Sequence, residues 1–368
     1  MRLEVLRGCL SVIYTVGVFG ALLQVVGGYW DVAWHILGIV ETFFTPPHTI
    51  LYTGIALALV ASVMGVLMGR ATLRHDLVRR PLVRGLQIAF VGGILQLIAG
   101  PADYWWHDTF GFDPFLFTPA HILLISGIML VGIGMALGAV RLLPAKRAGV
   151  DLGRPLASGP WIQVLDVIGL AALWIVLNTF VYLVTDVSGI AYTFGLNESV
   201  FDSFLPAILV AIPMALALTG TLVLLSARRI LGRFGGATAV AALAAAISAT
   251  ANLGFRAIIL AGTPEGSALA SFIPVYLALL VPVALFDWLV RPSTGGAKLI
   301  AAAALIGPAA SYLDGWHSAI VSIDAPIWFV YYLGPTMIAG ALAGALHGRF
   351  ASALLARRAR DLRAKSTP

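Results

Sequence analysis

Charge is what this chain has least of. Only 11% of its 368 residues are charged while 60% are hydrophobic, and a soluble domain carries about a quarter of its residues charged. An ordinary soluble enzyme is therefore excluded. Cysteine is nearly absent: Cys9 stands alone, so neither an internal disulfide nor a cysteine-based metal cluster is available. No polar or low-complexity stretch is long enough to link soluble domains. Residues 1–7 lead into an apolar run too long for the core of a cleaved leader and lacking a small-residue cleavage site, so no cleaved signal is expected.

What is present is apolar length. Runs such as 10–30, 86–102 and 122–140 approach or exceed the roughly 20 residues that cross a bilayer as helix. Ten spans can be drawn, at about 9–30, 49–68, 85–102, 118–140, 162–185, 204–226, 237–260, 270–290, 298–313 and 325–346. They pair into five hairpins. The net charge of +6 could suggest nucleic acid, but its placement argues otherwise. Of the 23 Lys and Arg, only Arg256 falls outside the short inner turns and the two ends, where Arg70, Arg80, Arg147 and Arg228 lie. The opposite loops hold Asp31, Asp103, Asp186, Glu198 and Asp314. By the positive-inside rule both termini are cytoplasmic and the acidic loops face the other side.

The expected fold is thus all-α, a polytopic membrane protein of about ten transmembrane helices arranged as five repeated hairpins. Its expected place is the plasma membrane, crossed many times, with the lipid bilayer as partner and nucleic acid excluded. Three segments follow. Residues 1–145 form two hairpins with a polar motif, 146–346 form three degenerate hairpins, and 347–368 form a basic tail along the cytoplasmic surface.

The polar motif is written twice. In the first copy Gln24 lies seven residues before Asp31, His35 lies four after it, and Thr45-Pro46-Pro47-His48 closes the copy thirteen residues later. In the second, Gln96, Asp103 and His107 repeat those offsets, and Thr118-Pro119-Ala120-His121 closes fourteen residues later. Residues four apart on a helix share a face, so each Asp–His pair projects together from the end of an outgoing helix. Thr then Pro suits the N-cap and first position of a new helix, which puts the second His at the start of the returning one. A hairpin brings these ends together. One carboxylate and two imidazoles with open positions suit Cu(II), Fe(II) or Zn(II) and not Mg or Ca.

Ligating imidazoles need a partner for the second nitrogen, and Gln24, Gln96, Glu41 and Asp108 are the nearest candidates by sequence. Tyr29, Trp30, Trp34, Trp105 and Trp106 would form an interfacial aromatic belt in any membrane protein, and a lone His in such a loop is an ordinary interfacial residue. Recurrence is what separates the metal reading from that one. The later hairpins keep fragments. The third has Asn178, Asp186 and Pro206, with Ile208 where the closing His would be, and the fourth has Pro274 with Asn252 and Arg256 before it. The fifth has Asp314 and His317, three apart with no closing His. That incomplete third set is as well explained by ion pairing or capping as by a metal.

The residues Asp103, Trp106-His107 and Phe117-Thr118-Pro119-Ala120-His121-Ile122, with Asp31, His35 and His48, resemble the C subunit of the copper membrane monooxygenases, the particulate methane and ammonia monooxygenases. In that subunit one copper site is Asp, His four later and His thirteen after that; the other is Asn, His four later and His fourteen after that. Asp31, His35 and His48 match the first spacing, and Asp103, His107 and His121 the second, with Asp103 in place of Asn. The likeness covers roughly residues 20–130, and hairpins three to five go beyond it. It implies copper, O2-dependent oxidation of a small apolar substrate, and a complex with other membrane subunits or further copies of the chain. It also implies that Phe43, Phe44, Phe110, Phe112 and Phe117 wall a dry pocket. The residues alone leave two other classes open: a non-enzymatic copper-handling or assembly factor, and a transporter or structural subunit of a respiratory complex built around Asn178, Asn252 and Arg256.

Overall fold

A computed structural model describes residues 3–36, 39, 42–72, 76–111, 118–140, 160–185, 198–250, 261–262, 279–291, 294–311 and 332–349. These residues form ten helices and no strand. They are α1 (Leu3–Ile36), α2 (Pro46–Thr72), α3 (Asp76–Phe110), α4 (Pro119–Val140), α5 (Pro160–Thr185), α6 (Glu198–Leu231), α7 (Gly236–Ser248), α8 (Leu280–Leu289), α9 (Gly296–Ala310) and α10 (334–349). Among the described residues three helical stretches are long and apolar enough to cross a membrane: Pro46–Ala71, Val83–Phe110 and Val210–Arg229.

Local chemistry explains where the helices begin. α2, α4 and α5 each open on proline, whose missing N–H is not needed in a first turn. α1 and α3 are 34 and 35 residues long, so both run past their apolar spans and carry Asp31 and His35, Asp103 and His107 in continuous helical register. The third hairpin departs from the repeat. Where Pro46 and Pro119 open α2 and α4, α6 begins at Glu198 and Pro206 lies inside it.

The first four helices make two closely packed hairpins, α1 on α2 and α3 on α4, with α2 laid against α3. Glycines allow the close approach. A Cβ on Gly20 would stand 2.8 Å from the Gly54 carbonyl, and one on Gly54 would stand 2.7 Å from the Gly20 carbonyl. Gly92 and Gly127 repeat the arrangement at 2.5 and 2.6 Å. In the first hairpin the motif glutamine bridges the pair, while in the second it bonds four residues back along its own helix. Gln24, fully buried, donates its amide to Gly54 O at 3.0 Å, and Gln96 donates to Gly92 O at 3.3 Å. The glycines therefore recur in step with the ligands, and the hairpin is the repeating unit.

The core runs from α1 through to α9, with Leu170, Ala171, Trp174 and Ile175 of α5 at its centre. At one end of the later helices Asp287 (α8) is fully buried. Its Oδ2 accepts from the Thr238 N–H and hydroxyl, each at 2.8 Å, which caps the start of α7. Arg228 Nε lies 3.2 Å from Asp287 Oδ1 and donates to Val290 O at 2.6 Å. One buried ion pair thus ties the ends of α6, α7 and α8 together.

Candidate metal centre

The second hairpin brings its three ligand candidates together. Asp103 projects from the last turns of α3, and His121 is the third residue of α4, where Thr118 acts as N-cap by accepting the His121 N–H at 3.2 Å. Asp103 Oδ1 lies 3.3 Å from His121 Nε2, and Asp103 Oδ2 lies 3.7 Å from His107 Nε2. One donor atom from each of the three residues falls within 4.8 Å of the others. Asp103 and His121 are buried, His107 half-buried.

The distances test the donor set. A charge-assisted hydrogen bond between these groups would close to roughly 2.7–2.9 Å. Two donors held about 2.05 Å from one tetrahedral ion stand about 3.3 Å apart. The Asp103–His121 contact sits at the second value while the Asp103–His107 contact, through the other carboxylate oxygen, is wider, and the mixed nitrogen–oxygen set suits a first-row transition metal. Asp103, His107 and His121 thus fit a metal ion.

The first hairpin repeats part of this. Asp31 Oδ1 lies 3.0 Å from His48 Nε2, both residues buried. The other ring nitrogen, Nδ1, donates to Thr42 O at 3.0 Å; a carbonyl only accepts, so the proton on Nδ1 is fixed and Nε2 is turned to the carboxylate. The gap between Nε2 and Oδ1 then requires either a shared proton or a cation held by both. The side chain of His35 lies outside the described residues, as do Glu41, Asp314 and His317.

Sequence reasoning sought side-chain partners for the imidazoles; the structure supplies backbone carbonyls. Thr42 O holds His48, and Gly111 O lies 3.4 Å from His107 Nδ1. Gly111 has φ +83° and bonds its N–H to His107 O at 3.0 Å, a left-handed helix end that returns its own carbonyl to the ring. The glycine four residues after His107 was the available signal. Gln24 and Gln96 spend their amide N–H on main-chain carbonyls, leaving each Oε1 buried without a hydrogen bond. Asp108 is exposed.

The aromatic residues divide. Phe44 and Phe110 are 75% and 62% exposed, so they stand outside the helices instead of walling a dry cavity between them. Phe43 is half-buried between Tyr52 and Tyr104. Phe112 and Phe117 lie outside the described residues, as do Asp186, Asn252 and Arg256. Asn178 is fully buried and accepts from Thr219 Oγ1 at 3.2 Å. Comparison with family models, with characterised proteins and with solved structures finds no match for this chain.

Proposed function

We propose that this chain is a multi-pass membrane protein that binds copper, iron and zinc being the alternatives, at a first site of Asp31, His35 and His48 and a second of Asp103, His107 and His121, the second being the better supported. The observation that carries the reading is the convergence of one carboxylate oxygen and two imidazole nitrogens, from Asp103, His107 and His121, within 4.8 Å of one another. In the full reading the protein oxidises a small apolar substrate with O2 as part of a membrane complex, the plasma membrane holding both termini inside and both motif loops outside. The apolar stretches of α2, α3 and α6 support the membrane placement.

Bound copper with open positions would supply the O2 chemistry. The chain's own groups do the rest. Asp103 contributes negative charge, Thr118 holds the first turn of α4 so that His121 faces α3, and Gly111 O fixes the proton on His107 Nδ1, leaving Nε2 as donor. A second reading, copper handling without turnover, gains support from the exposure of Phe44 and Phe110, two of the aromatics expected to wall a dry pocket.

The test is elemental analysis of the purified full chain after copper loading and removal of excess. About one to two copper per chain is expected, falling by about one in the His107→Ala, His121→Ala double variant. Stoichiometry unchanged by that variant refutes the site. Oxygen consumption on addition of a short-chain hydrocarbon or ammonia separates the oxidase reading from the handling one. For topology, single cysteines at Thr42 and at Arg70 in a Cys9→Ser background should label from opposite faces of intact cells.

A further inference from the structure

The two hairpins meet at His48. Tyr52, one turn after His48 on α2, stacks on its ring with centroids 5.8 Å apart and planes at 25°. The same Tyr52 ring lies over Gly100 of α3, its Cε1 only 3.7 Å from where a Cβ at that position would be. Phe43 packs on Tyr52 at 5.1 Å and meets Tyr104 of α3 edge-on at 6.0 Å and 89°. Thr42, immediately before Phe43, supplies the carbonyl that holds His48 Nδ1. Both the face and the far nitrogen of the His48 ring are therefore set by groups resting on α3, at residues that flank Asp103 on either side.

From this contact chain, and resting on the metal-site reading above, we propose that Phe43 is a positioning residue that couples the two sites. A divalent cation at Asp103, His107 and His121 fixes His48 for a second cation beside Asp31. The physical route is short. A cation bound between α3 and α4 draws the Asp103 carboxylate toward His121 and holds the last turns of α3 against α4. Tyr104 and Gly100 belong to those turns, so Phe43 and Tyr52 then have a fixed surface to pack on. Phe43 in turn sets the Thr42 carbonyl, and with it the ring whose Nε2 faces Asp31. The second site has its own supports, Gly111 O and the Thr118 cap, both within hairpin two. An aromatic pair is worth enough that losing the Tyr104–Phe43 or Phe43–Tyr52 contact shifts affinity about 3–10-fold. Linkage requires the same factor in both directions.

The experiment uses the full chain in lipid nanodiscs with Co(II) as the metal, read by its visible absorption and by equilibrium dialysis. The unaltered chain is expected to take two Co(II). Removing the second site with His121→Ala should weaken the first by about 3–10-fold, and His48→Ala should weaken the second by the same factor. Phe43→Leu keeps apolar bulk but loses the edge-to-face contact; in that background the effect of His121→Ala on the first site should vanish, while melting temperature holds. No Co(II) at either site overturns the metal reading and this proposal with it. Filling of the second site alone, or two sites whose affinities ignore each other's removal, overturns the coupling and leaves the metal reading intact. Coupling that persists in Phe43→Leu overturns the role given to Phe43.

Discussion

Gly127→Ala tests whether packing, far from any ligand, places the metal centre. The new Cβ would stand 2.6 Å from Gly92 O and 2.5 Å from Gln96 Cγ. Carbon–oxygen contacts close to no nearer than about 3.3 Å, so α3 and α4 must part by about 0.7 Å. Overpacking of this kind costs about 1–3 kcal/mol. If the hairpin opens as a rigid unit, the 3.3 Å gap between Asp103 Oδ1 and His121 Nε2 grows to about 4 Å, too wide for two ligands of one small ion. The expected result is a lower melting temperature together with a 10–100-fold weaker Co(II) affinity, comparable to losing an orienting partner. Gly169→Ala is the control. Nothing lies within 4 Å of a Cβ there, so in the interior of α5 the same substitution should stabilise by about 0.5–1 kcal/mol. Both are read by thermal melting in detergent and by metal titration. Tight metal binding in Gly127→Ala, or destabilisation in Gly169→Ala, would refute the reasoning.

Asp287→Ala removes the cap of α7 and leaves Arg228 buried without its carboxylate, at a cost of about 3–5 kcal/mol; the chain should melt far lower or fail to accumulate, while Thr238→Ala, which removes one hydroxyl bond, should be mild. Thr118→Ala should cost about 1 kcal/mol and weaken metal binding, because its hydroxyl accepts the His121 N–H. Thr45→Ala should cost less, since that hydroxyl donates to the loop carbonyl of Thr42 instead of accepting an N–H of the new helix; equal losses in metal titration would contradict the asymmetry. His347, outside the expected spans, is pushed down from 6.5 to about 4 by burial and by the Arg229 charge. The unfolded chain therefore takes the proton first on acidification, so stability is full above about pH 6.5 and falls toward pH 4, by up to roughly 3 kcal/mol. Melting curves between pH 7 and 4.5 should show that slope, and His347→Gln should flatten it.

The parts of the centre legible in the sequence are those that depend on helical period. Asp103 and His107 share a face because they are four apart, and Thr118-Pro119 announces a helix start that puts His121 in its first turn. The carbonyls of Thr42 and Gly111 were not legible, because every residue has a carbonyl and only the local turn decides where it points. The motif glutamines were read as partners of the imidazoles; instead each spends its amide on a glycine carbonyl within the hairpin. For Gln24 that role follows from a close contact with the returning helix, which a glycine in a list of 39 does not reveal until its neighbour across the interface is known, whereas Gln96 bonds back along its own helix.

The duplication also explains why the two sites differ. Gly20, Gln24 and Asp31 recur 72 residues later as Gly92, Gln96 and Asp103, whereas His48 and Gly54 recur 73 later as His121 and Gly127. The added residue lies between His107 and Thr118, where α3 runs on to Phe110, so the helix pairs superpose in kind while their connections cannot. In the first hairpin the loop returns Thr42 O to the ring of His48, and the Asp31 contact closes to 3.0 Å. In the second the outgoing helix is ended by Gly111, whose carbonyl serves the helix-borne His107, and the Asp103 contacts stay at 3.3 and 3.7 Å. Among the described residues the shared scaffold thus holds one close Asp–His contact and one wider triad, and the triad is where three donor groups already converge within 4.8 Å. The order of filling follows: metal should enter at Asp103, His107 and His121 first, and Co(II) titrated below one equivalent should be lost in His121→Ala but retained in His48→Ala.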